Sequence, residues 1–217
     1  MNIELRLEQP SDYRETEHVT REAFWNRYSP GCTEHYLLHI MRRSPNFVHG
    51  LDFVALSESK IVGCAAFMKS YILSDDGQRH EVLSMGPIAV LPAFQRMGVG
   101  RMLIEHTRKE AAEMKRYRAI LLCGDPDYYL RRGFAEAERF GIRTSENKYF
   151  AALHVCPLWQ GALDNIFGRY FEDGIYNIDL KEAEAFDRQF PPKEALAGTP
   201  TQRRFEEVLA MQKDYKG

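Results

Sequence analysis

Apolar and polar residues alternate at the start of the chain. Ile3-Glu4-Leu5-Arg6-Leu7 puts every second side chain on one face, the period of a half-buried strand. Pro10-Ser11-Asp12 breaks it. Asp12 with Glu15 three residues on has the spacing of a capping box, so a helix is expected through about Phe24. A second helical stretch is expected from Glu34 to Met41, ended by Ser44-Pro45-Asn46. The period then falls to two. "LDFVALSESKIVGCAAFMKSYIL" reads as two strands joined by a tight turn at Ser57-Glu58-Ser59-Lys60, and "HEVLSMGPIAV" as the next strand. A helix to about Tyr117 follows, then the apolar strand "RAILLCG", a short helix around Tyr128 to Arg131 stopped by Gly133, and "KYFAALHV" as one last strand. The order is β-α-α-β-β-β-α-β-α-β. It is a mixed α/β fold with one parallel crossover, from the Pro87–Val90 strand through the long helix to the Ile120–Cys123 strand.

The character changes after Pro157. The remaining stretch is rich in aromatics and acids and is broken by Pro191-Pro192. Residues 1–157 are expected to form the main domain and residues 158–217 an extension packed on it. Trp159, Phe167, Tyr170, Phe171, Tyr176, Phe186 and Phe190 read as packing residues. "TQRRFEEVLAMQKDY" should be a helix capped by Thr201. An extension with this much apolar mass is expected to wall a cleft of the main domain or to form a subunit contact. Glu172, Asp173 and Asp179 read first as a solvated face, and otherwise as a bias toward a cationic ligand.

Composition narrows the class. The chain has 217 residues, 44% hydrophobic and 28% charged, with net charge −2. With no basic surplus, nucleic acid is not expected as a partner. There is no apolar run near 18 residues and no signal-like start, so no membrane partner and a cytoplasmic location are expected. Four scattered cysteines without a C-x-x-C pair point to neither a disulfide framework nor a zinc site. His35 and His39 have ligand spacing but no third partner, so no metal is expected.

The chemistry centres on "VLPAFQRMGVGR", residues 90–101, between a strand and a helix. A helix N-terminus offers unpaired N–H groups and partial positive charge, a ready anion site, and Arg96 and Arg101 add charge at its rim. A Walker loop is absent. A dinucleotide fingerprint would need glycine where Leu103 stands. The run Gln95-Arg96-Met97-Gly98-Val99-Gly100, extended backward by Val90 and Pro92, resembles instead the phosphate loop of the GCN5-related N-acetyltransferases (GNAT). "MGPIAV" and "GDPDYY" further resemble the YhbS-like branch of that family. The likeness covers about residues 3–156.

The resemblance implies a GNAT fold: a mixed, mostly antiparallel sheet with a splayed central parallel pair, flanked by helices. It implies acetyl-CoA as co-substrate, with Gln95, Arg96, Met97, Gly98, Val99, Gly100 and Arg101 at the pyrophosphate. A bulge at Gly86-Pro87 would splay the strand, and the backbone of Ile88, Ala89 and Val90 would pair with the pantetheine arm. "YYLRRGF" is similar to the family's F-Y-x-x-x-G-F and implies Tyr129 as the general acid that protonates the leaving thiolate. Tyr128 is the weaker candidate. No base is singled out among Glu22, Glu81 and Ser84. Cys123, on a strand that reads as buried and without an evident His partner, speaks against covalent catalysis. The implied activity is direct transfer of acetyl to a primary amine of a small molecule or peptide. The rival reading is a non-catalytic acyl-CoA-binding module. A homodimer is compatible with either.

Overall fold

The computed structural model describes residues 2–216. The strands are β1 (Glu4–Leu7), β2 (Phe53–Ser57), β3 (Lys60–Ser74), β4 (Arg79–Val90), β5 (Ala119–Cys123), β6 (Ala135–Glu136), β7 (Ile142–Arg143), β8 (Lys148–Phe150), β9 (Leu153–Pro157), β10 (Gly168–Phe171) and β11 (Gln212–Asp214). The helices are α1 (Tyr13–Phe24), α2 (Glu34–Met41), α3 (Val99–Glu113), α4 (Pro126–Tyr129), α5 (Leu180–Asp187) and α6 (Pro200–Leu209). The chain forms two compact units. One comprises the chain up to Phe67, Gly86–Thr107 and Gly174–Arg203; the other comprises Met68–Met85, Arg108–Asp173 and the chain from Arg204 onward.

In the first unit β1 pairs antiparallel with β2, Leu5 opposite Ala55, and β2 pairs antiparallel with the start of β3. Glu58 and Ser59 turn the β2–β3 hairpin with φ of 49° and 66°, the left-handed pair that matches strand twist. Helix α5 belongs to this unit. Arg21 Nε of α1 donates to Asp187 Oδ1 at 2.6 Å, and the Tyr36 hydroxyl of α2 donates to Glu182. Tyr36, Ala183, Phe186 and Phe190 form a buried apolar cluster.

In the second unit β4 and β5 pair in parallel, Leu83 opposite Ile120 and Ser84 opposite Leu121. The α3 crossover was legible from its length and place. β5 pairs antiparallel with β9, β9 with β6, and the end of β3 with β10. β10 also runs parallel to β7. Ile72, Val82, Leu121, Val155, Leu163 and Tyr170 are buried together beneath these strands.

Three expectations need correction. Asp12 does not cap α1; its carboxylate is taken by Arg6, at 3.0 Å from Nη2 to Oδ1, and by the Gln9 N–H at 2.8 Å. "KYFAALHV" is two strands, because β8 pairs with β11 while β9 pairs with β5 and β6. Alternation reports a strand's faces and not its partner. Helix α6 is capped by Thr199, not Thr201. Thr199 Oγ1 accepts from the Gln202 N–H at 3.3 Å and Gln202 Oε1 accepts from the Thr199 N–H at 3.2 Å, a reciprocal capping box with Pro200 at the first helical position.

Candidate active site

The loop that follows β4 is tied back on itself. The Leu91 N–H donates to Val62 O at 2.9 Å, Phe94 N–H to Leu91 O at 2.8 Å, and Gln95 Nε2 to Val90 O at 3.0 Å. The Gln95 amide thus closes the loop against the strand end. Arg96 takes φ 62° and Gly98 φ 92°. An L side chain at Gly98 would be strained, and nothing lies within 4 Å of where its Cβ would sit. The Met102 N–H donates to Gly98 O at 3.0 Å, so Gly98 accepts the first bond of α3. The N–H groups of Val99, Gly100 and Arg101 fall in the first turn, where a helix offers them no acceptor. Val99 is buried and anchors the turn, whereas Arg96, Met97, Gly98 and Arg101 are exposed. Arg101 Nε holds Glu105 at 2.7 Å. This start of a 15-residue helix has no acidic residue in its first turn and carries two exposed arginines beside open glycine backbone. That arrangement suits a phosphate group.

Upstream, Ala89 is buried while Ile88 and Val90 are half-buried, as alternation along β4 requires. The Gly86–Pro87 peptide is cis, and the Tyr176 hydroxyl donates to Gly86 O at 3.3 Å.

Tyr129 lies in the second unit and is built from below. Asp125 caps α4, accepting from the Asp127 N–H at 3.0 Å, with Pro126 at the first helical position. Arg204 forks across Asp125, at 3.2 and 3.1 Å, and reaches Asp127 at 2.8 Å. The Tyr129 ring lies against Gly124, where a Cβ would come 2.7 Å from Tyr129 Cδ2 and nearer still to Cε2. Phe134 meets the ring edge to face with centroids 5.7 Å apart, and His154 lies 5.8 Å away. His154 is fully buried. Its Nε2 donates to Gly124 O at 3.2 Å, and burial lowers its pKa, so the imidazole is neutral with the proton on Nε2. Its Nδ1 has no hydrogen-bond partner among the described residues.

Residues 49–136, which contain both the loop and Tyr129, match the family model described as an acetyltransferase (GNAT) domain. The chain is similar to a GNAT acetyltransferase over that span. It is 26% identical over 164 residues to the uncharacterized N-acetyltransferase YhbS of Escherichia coli K12, spanning 76% of this chain and 92% of that one. Its fold is that of a GNAT N-acetyltransferase YhbS from Escherichia coli solved in complex with CoA. The TM-score is 0.71, with 24% identity, 82% of this chain covered and 93% of that one. A GNAT acetyltransferase from Brucella melitensis, solved in complex with acetyl-CoA, gives a TM-score of 0.61 at 24% identity, with 81% and 98% covered. The mixed sheet with its parallel β4–β5 pair is the GNAT sheet.

The residues from Ile88 to Arg101 are brought together in one unit, and Tyr129 stands in the other. Tyr128 is exposed beside it. The three groups weighed as bases have other partners. Glu22 holds Lys193 at 2.8 Å, Glu81 holds Arg116 at 3.2 Å, and the Ser84 hydroxyl is bonded to Tyr170. His35 Nε2 lies 3.1 Å from Asp187, and His39 Nδ1 lies 2.8 Å from Glu17. No group of residues able to hold a metal ion occurs among the described residues. Cys123 is exposed rather than buried, because it is the last residue of β5 and only the four before it lie in the core. Sequence reasoning passed over Gly124 and His154. The signal for Gly124 was its place directly before the Asp-Pro helix start.

Proposed function

We propose that the chain is an acetyl-CoA-dependent N-acetyltransferase that moves the acetyl group directly onto a primary amine. The observation that carries this is the loop. Gly98 sits at φ 92° with open space above it, at the start of a long helix flanked by Arg96 and Arg101. The first-turn N–H groups of Val99, Gly100 and Arg101 bind the pyrophosphate, and Arg96 and Arg101 balance its charge. Gln95 holds the loop in shape. The backbone of Ile88, Ala89 and Val90 pairs with the pantetheine arm as a neighbouring strand would. Tyr129 returns a proton to the leaving thiolate; a phenol with a pKa near 10 is neutral at pH 7 and still acidic enough for this. The CoA and acetyl-CoA in the solved relatives support the donor.

Calorimetry with acetyl-CoA tests it. The wild-type protein is expected to bind at about 1 μM to 1 mM, the usual span for an enzyme's substrate. Gly98→Leu places a side chain at a left-handed φ in the space the phosphate needs, and is expected to weaken binding at least about tenfold, or 1.4 kcal/mol. Circular dichroism checks that the variant is folded. Equal affinity in a folded Gly98→Leu protein would remove the loop from the donor site.

A further inference from the structure

Tyr129 takes its place from the residues just before it. Gly124 lies past the end of β5, yet β9 side holds both of its backbone groups. The Gly124 N–H donates to Ala152 O at 2.9 Å, and Gly124 O accepts from His154 Nε2 at 3.2 Å. The His154 Cα stands opposite Leu122, so its ring reaches two residues along the neighbouring chain to make this bond. One peptide joins Gly124 O to Asp125. Arg204 grips the Asp125 carboxylate at 3.2 and 3.1 Å, and Asp125 O accepts the N–H groups of Tyr128 and Tyr129 at 3.0 and 3.2 Å. The Tyr129 ring then folds back over Gly124, where a Cβ would come 2.7 Å from its Cδ2. The position of the phenol therefore follows from the orientation of the Gly124–Asp125 peptide.

Packing alone does not account for a histidine at 154. The ring is fully buried, with Leu153 and Val155 buried on either side of it in β9. Gly124 O can only accept, so Nε2 carries the proton of the neutral ring and Nδ1 is a bare acceptor. That buried Nδ1 has no partner among the described residues. A buried acceptor left unpaired costs free energy that an apolar residue here would avoid. What the imidazole supplies instead is one donor, aimed at Gly124 O. The donor is mounted on a strand bonded along both edges, by β5 and by β6, so the backbone beneath it is fixed. The ring also lies beside Tyr129 itself, tilted by 35° with centroids 5.8 Å apart.

We propose that His154 is a positioning residue for Tyr129: it holds the Gly124 carbonyl, and through that peptide it fixes where the Tyr129 hydroxyl stands when it protonates the leaving thiolate. This rests on the transferase reading above. His154 itself exchanges no proton in the reaction, because its one N–H is taken by Gly124 O and its other nitrogen is buried. The demand on placement is strict, since a shift of about 1 Å at a reacting group can cost about 100-fold in rate. Between the His154 donor and the first turn of α4 stand only a carbonyl and one peptide.

The test follows thiol release from acetyl-CoA with hydroxylamine, a small neutral nucleophile, above the uncatalysed background. His154→Leu removes the donor and His154→Gln keeps one; circular dichroism checks that both variants are folded. His154→Leu is expected to lower kcat by about 10- to 100-fold with the KM for acetyl-CoA unchanged, and His154→Gln to regain most of the loss. A residue that acts through Tyr129 adds nothing once Tyr129 is gone, so His154→Leu combined with Tyr129→Phe should be no slower than Tyr129→Phe alone. Losses that multiply in the double variant, or a wild-type kcat in His154→Leu, would overturn the role. The ring is also read without turnover, by fluorine NMR of protein labelled with 3-fluorotyrosine. The line that vanishes in Tyr129→Phe should be broadened in His154→Leu, where the ring takes more than one position, and sharp in His154→Gln. Both variants lack the imidazole ring, so equal lines in the two would overturn the role. A wild-type protein that releases no thiol overturns the transferase reading, and the fluorine lines then decide by themselves whether His154 places the Tyr129 ring.

Discussion

Asp52 should make this protein less stable as pH rises through neutrality. It is 4% exposed and shares a buried site with Glu8, Glu17 and Arg42. Arg42 bonds Glu8 at 2.9 Å from Nε and 2.7 Å from Nη2, and Glu17 at 3.1 Å from Nη1. Three carboxyl groups around one guanidinium cannot all be ionised cheaply, even with His39 at 2.8 Å from Glu17. Asp52 keeps its proton. Burial, a hydrogen bond to Glu8 and the Glu8 charge push its pKa up from 3.8 to about 9, against the pull of Arg42.

Between those two values the folded chain holds one proton that the unfolded chain has lost. Stability then falls as pH rises, by about 1.4 kcal/mol per pH unit, and levels off above the folded pKa. Other groups fix the useful window. His35 is lowered from 6.5 to about 4 by burial, so its contribution grows between those values and is constant above them. Cys64 is raised from 9.0 to about 12 by burial, so unfolded thiols begin to steepen the decline near pH 9. From pH 7 to 8.5 the Asp52 proton dominates and costs about 2 kcal/mol, a fall in Tm of about 4–8 °C for a chain of this size. Asp52→Asn keeps a donor toward Glu8 but cannot ionise. Scanning calorimetry at several pH values should find the slope in the wild type and a much flatter one in Asp52→Asn. Parallel curves for the two proteins, or a wild-type Tm constant over this window, would refute the buried-proton account.

Two further outcomes concern Tyr129. Tyr129→Phe is expected to lower kcat by about 10- to 1,000-fold with acetyl-CoA affinity unchanged, since only the transition state loses an interaction; stopped-flow thiol release measures the chemical step, and an unchanged rate there assigns the ring to packing. Gly124→Ala drives a methyl into the ring of Tyr129; kcat should fall toward that of Tyr129→Phe while calorimetry with acetyl-CoA stays near wild type, and wild-type kcat in this variant would show that the ring need not rest where it does.

The strand-turn-helix form of the loop was legible because its signal is local. Gln95, Gly98 and Gly100 stand at fixed spacing in one turn between a strand and a helix, and the backbone there obeys the spacing. α2 and the β2–β3 hairpin were legible for the same reason: each is specified within its own dozen residues. What was missed depends on partners distant in sequence. Asp12 has the spacing of a cap but loses its carboxylate to Arg6 on the strand before it. Gly124 looks like any loop glycine until the Tyr129 ring is laid on it, and His154 is an alternation position whose only distinction is the carbonyl it faces. Ser84 stands among the candidate bases in the sequence, but its partner Tyr170 lies 86 residues away, beyond the reach of any periodicity.

The segment after Pro157 shows how far burial alone can mislead about organisation. Tyr170, Phe186 and Phe190 pack as their apolar character suggests, yet the aromatics of the segment do not act as one body. Tyr170 joins Ile72, Val82 and Leu121 under the strands of one unit, while Phe186 and Phe190 join Tyr36 in the other. Fully burying a large apolar side chain contributes about 1.5–3 kcal/mol, so these three residues together contribute roughly 5–9 kcal/mol of gross burial, set against the entropy cost of ordering the segment. Trp159 and Phe167, from the same segment, remain exposed and contribute little of this. A stretch that supplies core to both units is under packing constraint at Tyr170 whatever the chemistry requires.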